Sequence, residues 1–416
     1  MHKLINNEGF ARRHKVNKND FSRNSPLRFP ILIKSIIHLF KESIEYNIAN
    51  ILPSLDVKSV SGSAFTQARY KINPSAFQEL NQLVVDQYMK TNIKLWKGHR
   101  LIGVDGSTIS LPPSKDIVDY FGVYAQTKFG INRSLARITF FHDLMNDFIV
   151  ENEITTMNKG ELTHLKDGLK KINNLNDIYI IDRGYGHYNT LLHLTTLDIQ
   201  FCARVSVKTK FGQKVIDDNR SDFVCYWNPS PKEKENAIKN NMKPCPLSIR
   251  VTKVKLKTGE TEILISSLTN QINYPAKDIK WLYKKRWGVE EAFKKLKPKM
   301  KIEHFGCRKT MGVFQEFYAH VLMMNIVSYS IIITEDQYSA NSKRGLKYSY
   351  KYNWQNAYRY VRNVIIDLLS NVNIEKTIEE LLIKIAKSKI PIIPNRTFPR
   401  DIKRGCNKTK ISQCFK

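Results

Sequence analysis

The sequence predicts an α/β protein in which a mixed sheet flanked by helices lies between two helical regions. Apolar residues recur with helical spacing over about the first hundred residues and again beyond residue 301. Short apolar runs typical of strands fill most of residues 101–204, and helical patterns alternate with the last of these runs. This alternation is the arrangement that places helices against a sheet. A hydrophobic share of 42% over 416 residues is sufficient for a substantial core.

The charge of the chain predicts a polyanionic partner. Lys and Arg number 67 against 38 Asp and Glu, a formal net charge of +29. Nucleic acid and an anionic membrane surface both satisfy this charge. The most apolar stretch, residues 321–334, is shorter than the roughly 20 residues of a membrane span, so we interpret it as a buried helix. The basic N-terminus is followed by no apolar signal core, so we expect a cytoplasmic protein that binds nucleic acid and no membrane.

Residues 1–97 are predicted to form a helical DNA-binding region. A basic arm of about thirty residues at its start is expected to be disordered. Further along, two short helices over residues 61–72 and 73–89 are joined tightly. Two interpretations remain open, a DNA-reading helix pair that presents Arg69 and Lys71, or a helical bundle whose basic residues are merely solvated.

The predicted catalytic core occupies residues 98–205 and 271–310. The patterns indicate strands, with helices between and after them, over residues 101–105, 136–144, 148–154, 160–172 (helix), 178–182, 188–197 (helix), 199–204 and 276–297 (helix). The strand at 178–182 is continuously apolar, as is usual in the middle of a parallel sheet. Three strands, helix, strand, helix, strand is the order of a ribonuclease-H-like core.

Two segments outside this order complete the prediction. Residues 206–270 have strand and turn patterns rich in Lys and Thr, so we expect a β-rich insertion into the core rather than a separate domain. Residues 311–416 are expected to form a helical C-terminal region with a basic tail, which holds seven Lys or Arg against one acid from residue 395 onward. The tail is interpreted either as disordered or as an arm that contacts phosphates.

Two aspartates stand at the ends of predicted buried strands. Asp105 lies in Val-Asp-Gly-Ser-Thr and Asp182 in Ile-Asp-Arg-Gly-Tyr. The carboxyl ends of neighbouring parallel strands meet at the crevice where open α/β sheets bind their ligands. An aspartate at such a position also closes ordinary turns, so each signal alone is weak.

A third block places four polar side chains on one helix face. Tyr283, Arg286, Glu290 and Lys297 recur at spacings that fall within an arc of roughly 60° at about 100° per residue. Such a stripe suits a phosphate backbone and a metal ion, because each of the four side chains would find a partner there. The alternative is a solvated face with an Arg286–Glu290 ion pair. Glu291 would lie off the stripe.

These three blocks, in this order, resemble the signature of the DDE transposases of bacterial insertion sequences. The group they resemble is marked by the Tyr-Arg-Glu-Lys (YREK) motif and is of the insertion-sequence family four type. The third block matches at all four positions with the family's spacing. The stretches Ser-Ala-Phe-Thr-Gln-Ala-Arg and Gln-Glu-Phe-Tyr-Ala-His also resemble the flanks usual in that group, so the resemblance spans about residues 61–326.

The resemblance implies a DNA transposase that cleaves transposon ends and joins them to target DNA. Asp105, Asp182 and Glu290 would bind two Mg²⁺ ions, with Mn²⁺ as a substitute, and Tyr283, Arg286 and Lys297 would hold DNA phosphates. Two metals held by carboxylates activate the nucleophile and neutralise the leaving oxygen. The partners implied are double-stranded DNA, both terminal inverted repeats and target, and a second copy of the chain as a homodimer. The expected location is the bacterial nucleoid.

The family's reaction sequence runs through a DNA hairpin, whose formation unstacks a base. An aromatic platform would lower that cost, and Trp227 in the insertion is a candidate, although a core aromatic would produce the same pattern. Two other functions are compatible with these residues, that of a catalytically silent relative that binds inverted-repeat DNA and that of a stand-alone nuclease. Retention of all three carboxylates favours the enzyme over the silent relative.

Overall fold

A computed structural model describes residues 1–38, 42–58, 60–172, 176–256, 258–338 and 348–394. The α-helices are α1 (His2–Ile5), α2 (Glu8–His14), α3 (Phe29–His38), α4 (Ile44–Ile51), α5 (Gly62–Arg69), α6 (Ser75–Met89), α7 (Lys115–Phe121), α8 (Glu161–Lys171), α9 (Tyr188–Thr196), α10 (Lys210–Asp217), α11 (Pro231–Lys239), α12 (Ala276–Lys285), α13 (Trp287–Lys294), α14 (Thr310–Tyr338), α15 (Trp354–Ser370) and α16 (Ile374–Lys387). The strands are β1 (Arg100–Ser110), β2 (Ala125–Gln126), β3 (Asn132–Arg133), β4 (Leu135–Asp143), β5 (Phe148–Thr155), β6 (Asp177–Ile181), β7 (Gln200–Val205), β8 (Asp222–Trp227), β9 (Leu247–Lys255), β10 (Thr261–Ser266), β11 (Ser349–Tyr352) and β12 (Lys389–Ile392). A short 3₁₀ helix (Pro53–Leu55) and a π-helical turn (Lys295–Lys299) complete the list.

An eight-stranded sheet in the order β5-β4-β1-β6-β7-β10-β9-β8 forms the centre of the molecule. β6 pairs in parallel with both of its neighbours, and the remaining pairs are antiparallel. The first five core strands therefore have the sheet order third, second, first, fourth, fifth, with helices between the later ones. This is a ribonuclease-H-like core, so the predicted fold class is confirmed.

Strand β6 shows why the sheet is covered on both faces. All five of its residues are buried, as the continuous apolar run predicts. Because side chains alternate along a strand, Ile178 and Ile180 pack against Ile279 and Leu282 of α12. Tyr179 and Ile181 belong to the main core on the opposite face.

The segment at residues 206–270 extends this same sheet. β10 pairs antiparallel with β7, and β9 and β8 follow outward in turn. Two helices, α10 and α11, are added to the strands that the sequence predicts there. The segment thus adds three strands and two helices to the edge of the core.

The first residues of the chain correct one expectation. The basic arm that we expected to be disordered contains α1 and α2, and Ile5 and Phe10 are fully buried. His14, at the end of α2, forms hydrogen bonds with Ser75 (2.8 Å) and Glu79 (2.6 Å) of α6. Apolar side chains that were too few to predict a helix pair from periodicity are sufficient to dock the arm.

Arg69 corrects a second expectation. Its side chain is fully buried, and it donates hydrogen bonds to Gln315 Oε1 (3.0 Å) and Glu316 Oε1 (3.3 Å) of α14. The prediction that Arg69 contacts DNA is therefore wrong, because its guanidinium joins α5 to the central helix. Lys71 is exposed, and its contact with DNA stays a prediction.

Helix α14 is the apolar helix that the sequence predicts. Among the described residues it is the one helix long and apolar enough to cross a membrane, and 61% of its most apolar window is buried within the protein. It packs against α6, β5, α15 and α16. The burial is that of a core helix. The basic tail from residue 395 lies outside the described residues.

Candidate active site

The parallel pairing of β1 and β6 places two carboxylates side by side. Their register ends with Val104 opposite Ile181, so Asp105 and Asp182 are the next residues on adjacent strands. Asp105 remains in β1, where it pairs with Phe140 of β4. The expectation that the two aspartates share one edge of the sheet is met by this register.

Helices α12 and α13 bring the third carboxylate to that edge. Glycine at position 103 permits the approach, because a Cβ atom there would lie 2.4 Å from Val289 Cγ2 of α13. The predicted single helix over 276–297 is interrupted at Arg286 and ends in the π-helical turn. Side-chain periodicity does not reveal such a break, because the interruption hardly changes which residues face the core.

Arg286 lies among all three carboxylates. Its Nη1 atom is 3.6 Å from Asp105 Oδ2, its Nε atom is 3.9 Å from Asp182 Oδ1, and its Nη2 atom donates to Glu290 Oε1 at 2.9 Å. The side chain is 6% exposed. The Arg286–Glu290 pair is thus part of a partly buried charge cluster, and the interpretation as a solvated helix face is wrong.

The remaining two members of the stripe also face the strand ends. Tyr283 donates a hydrogen bond from its hydroxyl to Asp182 Oδ1 (2.9 Å). Lys297, carried by the π-helical turn, donates to Ser107 Oγ of β1 (2.7 Å). Glu291 instead pairs with Lys294 on the exposed side of α13. The structure therefore brings together the six residues that the sequence selects and leaves Glu291 outside.

The ionisation of the two aspartates differs. Burial raises the pKa of Asp105 to about 6. The Gly106 amide and the Arg286 charge oppose this rise, and the nearby charges of Asp182 and Glu290 add to it. Burial also acts to raise the pKa of Asp182, but the Arg183 amide, the Arg286 charge and the Tyr283 hydroxyl outweigh it, so this pKa is lowered. Burial lowers the pKa of the Lys297 ammonium.

Three carboxylates on three elements form an oxygen donor set of the kind that Mg²⁺ and Mn²⁺ prefer. With the side chains as placed, no three His, Cys, Asp or Glu residues within the described ranges are grouped closely enough to hold a metal ion. All three donors nevertheless face one guanidinium within 4 Å. The chemistry of the donors fits a divalent cation that would take over the neutralising role of Arg286.

Trp227 corrects a third expectation. Its ring is 4% exposed and lies parallel to Phe211, with a distance of 4.1 Å between ring centroids. A base cannot stack on a face that Phe211 covers, so the proposed platform role of Trp227 is wrong. The side chain of neighbouring Tyr226 lies on the opposite face of β8 and is 68% exposed.

Two residues beside the site, Trp287 and Ser107, were missed by sequence reasoning. Trp287 follows Arg286 directly, its ring centroid is 5.2 Å from the guanidinium carbon, and the side chain is 48% exposed. The sequence signal for Trp287 was a tryptophan directly beside the polar stripe, at a position that does not belong to the buried face of the helix. Ser107, the acceptor of the Lys297 hydrogen bond, lies in the Asp-Gly-Ser-Thr block and was not singled out either.

The family model described as the transposase DDE domain matches residues 96–326, which is more than half of the chain. This chain belongs to the transposase DDE-domain family. The matched range contains β1, β6 and α13, and with them every residue of the carboxylate cluster.

The DDE-domain chain is similar in sequence to a transposase and was also compared with solved structures. A putative transposase, y4zB, from Sinorhizobium fredii (strain NBRC 101917 / NGR234) is 32% identical over 133 residues, which is 30% of this chain. The match spans about a third of that relative, 35% of its length. A cryo-EM structure of the piggyBac transposase synaptic complex with hairpin DNA aligns over 95% of this chain and 86% of its own, with a TM-score of 0.49 and 11% identity.

Proposed function

We propose that this chain is a DNA transposase of the YREK group that cleaves transposon ends and joins them to target DNA. The observation that carries the proposal is the convergence of Asp105, Asp182 and Glu290 on Arg286, within a member of the transposase DDE-domain family. A net charge of +29 supports DNA as the substrate. We infer that both terminal inverted repeats and target DNA are bound, by a homodimer.

Asp105, Asp182 and Glu290 would hold two Mg²⁺ ions, for which Mn²⁺ may be exchanged. When bound, such ions make a nucleophilic water or hydroxyl more acidic and neutralise the leaving oxygen of the phosphodiester. Tyr283 orients the Asp182 carboxylate through its hydrogen bond. Glycine at position 103 keeps α13, and thus Glu290, close to β1.

The cations of the cluster have a second task in this proposal. Arg286 neutralises the carboxylates in the arrangement described here, and its planar fork is suited to a DNA phosphate once the acids have another counter-charge. Lys297 is held toward the site by Ser107 and supplies a point charge for a second phosphate. Tyr283 would line the same phosphate path.

The proposed reaction has four steps at one site. Water nicks the transposon end, and the freed 3′-hydroxyl attacks the opposite strand to form a hairpin. A second water opens the hairpin, and the 3′-hydroxyl that it frees attacks a phosphodiester of the target DNA. In each step one P–O bond forms as another breaks, so no further reactant is needed. The three carboxylates therefore serve all four steps.

The test is cleavage of labelled transposon-end DNA with Mg²⁺ by the wild type and by Glu290→Gln. We expect nicked and hairpin products from the wild type and a loss of at least about 10³-fold in Glu290→Gln, because a metal ligand is removed. Glu291→Gln is the matched control, since this neighbouring acid pairs with Lys294 outside the cluster. It should cut as the wild type does.

Two outcomes would contradict the proposal. Equal cleavage by Glu290→Gln and the wild type would show that the third carboxylate is assigned incorrectly. Binding of transposon ends by both proteins without any cleavage would favour the silent DNA-binding relative.

Light scattering of the complex with paired ends should give the mass of two chains, and a single chain would remove the homodimer from the proposal.

A further inference from the structure

β1 and β4 continue past the carboxylates and carry a small hairpin beyond them. β6 stops pairing with β1 at Val104, whereas β4 remains paired with β1 as far as Ser110. Ser110 lies about 17 Å beyond Asp105 along an extended strand. The segment over residues 111–134 therefore leaves the sheet at the same edge as the active site.

The base of this segment is fixed to the core. In α7, Tyr120 contacts Phe314 of α14 edge-on, with 5.8 Å between ring centroids. Ser114, just before α7, donates a hydrogen bond from its hydroxyl to the Arg308 carbonyl (2.8 Å). These contacts fix the base of the segment to the start of α14.

The tip of the segment is held by hydrogen bonds of its own. β2 and β3 pair antiparallel, and the Thr127 amide donates to the Ile131 carbonyl (2.9 Å) across the turn. Glycine at position 130 takes a left-handed conformation (φ +75°) that closes this turn. The Ser134 hydroxyl donates to the Gly122 carbonyl (2.6 Å) at the open end. We call residues 122–134 the tip hairpin.

The tip hairpin exposes aromatic rings next to cations. Phe129 is 78% exposed and Tyr124 is 63% exposed. The Lys128 ammonium lies 4.9 Å from the centroid of the Phe129 ring. Residues 122–134 include no Asp or Glu. Exposed apolar surface of this kind marks a binding site, and the charge around it selects an anionic partner.

DNA with unpaired bases fits this surface better than other partners do. Bases stack on exposed aromatic rings while phosphates pair with the adjoining cations. A second copy of the same surface would instead bring Lys128 and Arg133 against an identical pair of cations. In an intact duplex the base faces are covered by neighbouring bases, so the rings would have little to bind.

We propose that the tip hairpin binds unpaired bases of the DNA that enters the carboxylate site, with Phe129 and Tyr124 as stacking platforms and Lys128 as a phosphate contact. This inference rests on the proposed function, because it takes DNA to be the substrate. It assigns the hairpin a preference for gapped or unwound DNA over intact duplex.

The test compares two fluorescein-labelled DNA probes, a duplex with a central gap of about five nucleotides and the same duplex without the gap. Anisotropy is measured with the full chain in EDTA, so that no cleavage occurs. Phe129→Ala should bind the gapped probe roughly tenfold more weakly than the wild type does. Its affinity for the intact duplex should lie within about twofold of the wild-type affinity. Phe129→Trp should bind the gapped probe as the wild type does.

Tyr350→Ala is the control, because Tyr350 is an exposed aromatic on β11, outside both the tip hairpin and the predicted DNA-binding region. It should leave both affinities unchanged, and all variants should retain the wild-type melting temperature. Equal affinity of Phe129→Ala and the wild type for the gapped probe would overturn the inference. A change in oligomeric mass without a change in DNA affinity would also overturn it, in favour of a contact between copies.

Failure of the inference and failure of the proposed function are distinguishable. If the wild type binds neither probe, DNA is not the substrate and the proposed function fails. If the wild type binds both probes and Phe129→Ala matches it, only the role of the tip hairpin is lost.

Discussion

The two ends of β1 and β6 carry the same chemical groups in opposite arrangements. At their amino ends, Arg100 and Asp177 are register partners, and the guanidinium donates two hydrogen bonds to the carboxylate (2.8 and 2.6 Å). Both side chains are almost fully buried. At their carboxyl ends, Arg286 meets Asp105 and Asp182 at 3.6 and 3.9 Å.

The difference lies in how completely each charge is satisfied. Arg100 and Asp177 satisfy one another in a closed bidentate pair, which leaves no place for a ligand. Arg286 divides its charge among three carboxylates, and the Asp182 side chain remains 38% exposed. The tight pair at one end has no charge left to offer a ligand, and the loose cluster at the other end can exchange its counter-charge for a metal ion or a phosphate.

Breaking the closed pair should give the largest effect on stability. Arg100→Met leaves the Asp177 carboxylate buried without its partner, so we expect the free energy of unfolding to fall by about 3–5 kcal/mol. Urea denaturation followed by circular dichroism measures this. DNA cleavage per folded molecule should not change, because Arg100 lies at the far end of the strands.

Two further variants make that prediction specific. The double variant Arg100→Met with Asp177→Leu should recover most of the loss, since no buried charge is then left unpaired. Lys94→Met breaks the Lys94–Glu335 pair on the surface and should cost less than about 1 kcal/mol. A loss for Arg100→Met as small as that of Lys94→Met would contradict the comparison.

The features that could be predicted from the sequence are those set by local patterns. Element order and strand limits follow from local periodicity, and β5, β6 and β7 lie within one residue of their predicted bounds. The carboxylates could be selected because strand ends and helix spacing are local signals. β1 exceeds its predicted end at Asp105, because β4 continues to pair with it up to Ser110.

The errors concern side chains whose environment is set by distant residues. Arg69 is buried because Glu316, which is 247 positions further along, supplies its counter-charge. Trp227 is buried because Phe211 of α10 covers its ring. A basic or aromatic residue near a functional motif looks the same in sequence whether or not such a partner exists, so exposure could not be predicted.

Opening the loose cluster should have a smaller effect that depends on metal. Arg286→Gln leaves three carboxylates without their shared cation, so we expect the metal-free protein to lose about 1–3 kcal/mol of stability. Mn²⁺ should raise the melting temperature of Arg286→Gln more than that of the wild type. Cleavage should fall roughly 10- to 100-fold, since a phosphate contact is lost.

Lys284→Gln is the control for Arg286→Gln, because it removes one positive charge from an exposed position on α12. It should change neither the metal-free stability nor the response to Mn²⁺. An identical Mn²⁺ response in Arg286→Gln and the wild type would show that the guanidinium does not share the place of the metal ions.

The smallest expected effect concerns a single carboxylate of the cluster, Asp182. Tyr283→Phe removes the hydrogen bond to Asp182, worth about 0.5–1.5 kcal/mol, so the affinity for Mn²⁺ should fall roughly 2- to 10-fold. A bond donated to the carboxylate favours its charged form, so its loss raises the pKa of Asp182. Protons then compete with Mn²⁺ at a higher pH, and the deficit should grow as the pH falls toward 5.

Titration calorimetry with Mn²⁺ across this pH range measures the effect. The wild type should itself bind more weakly below about pH 6, where the raised pKa of Asp105 leaves that acid largely protonated. Tyr274→Phe is the control, because its hydroxyl contacts His99 near the amino end of β1 (3.0 Å). If the loss of Mn²⁺ affinity in Tyr283→Phe did not depend on pH, the tyrosine would pack beside Asp182 without changing the pKa of that carboxyl. The carboxylates at the two ends of β1 and β6 would then differ less than their geometry indicates.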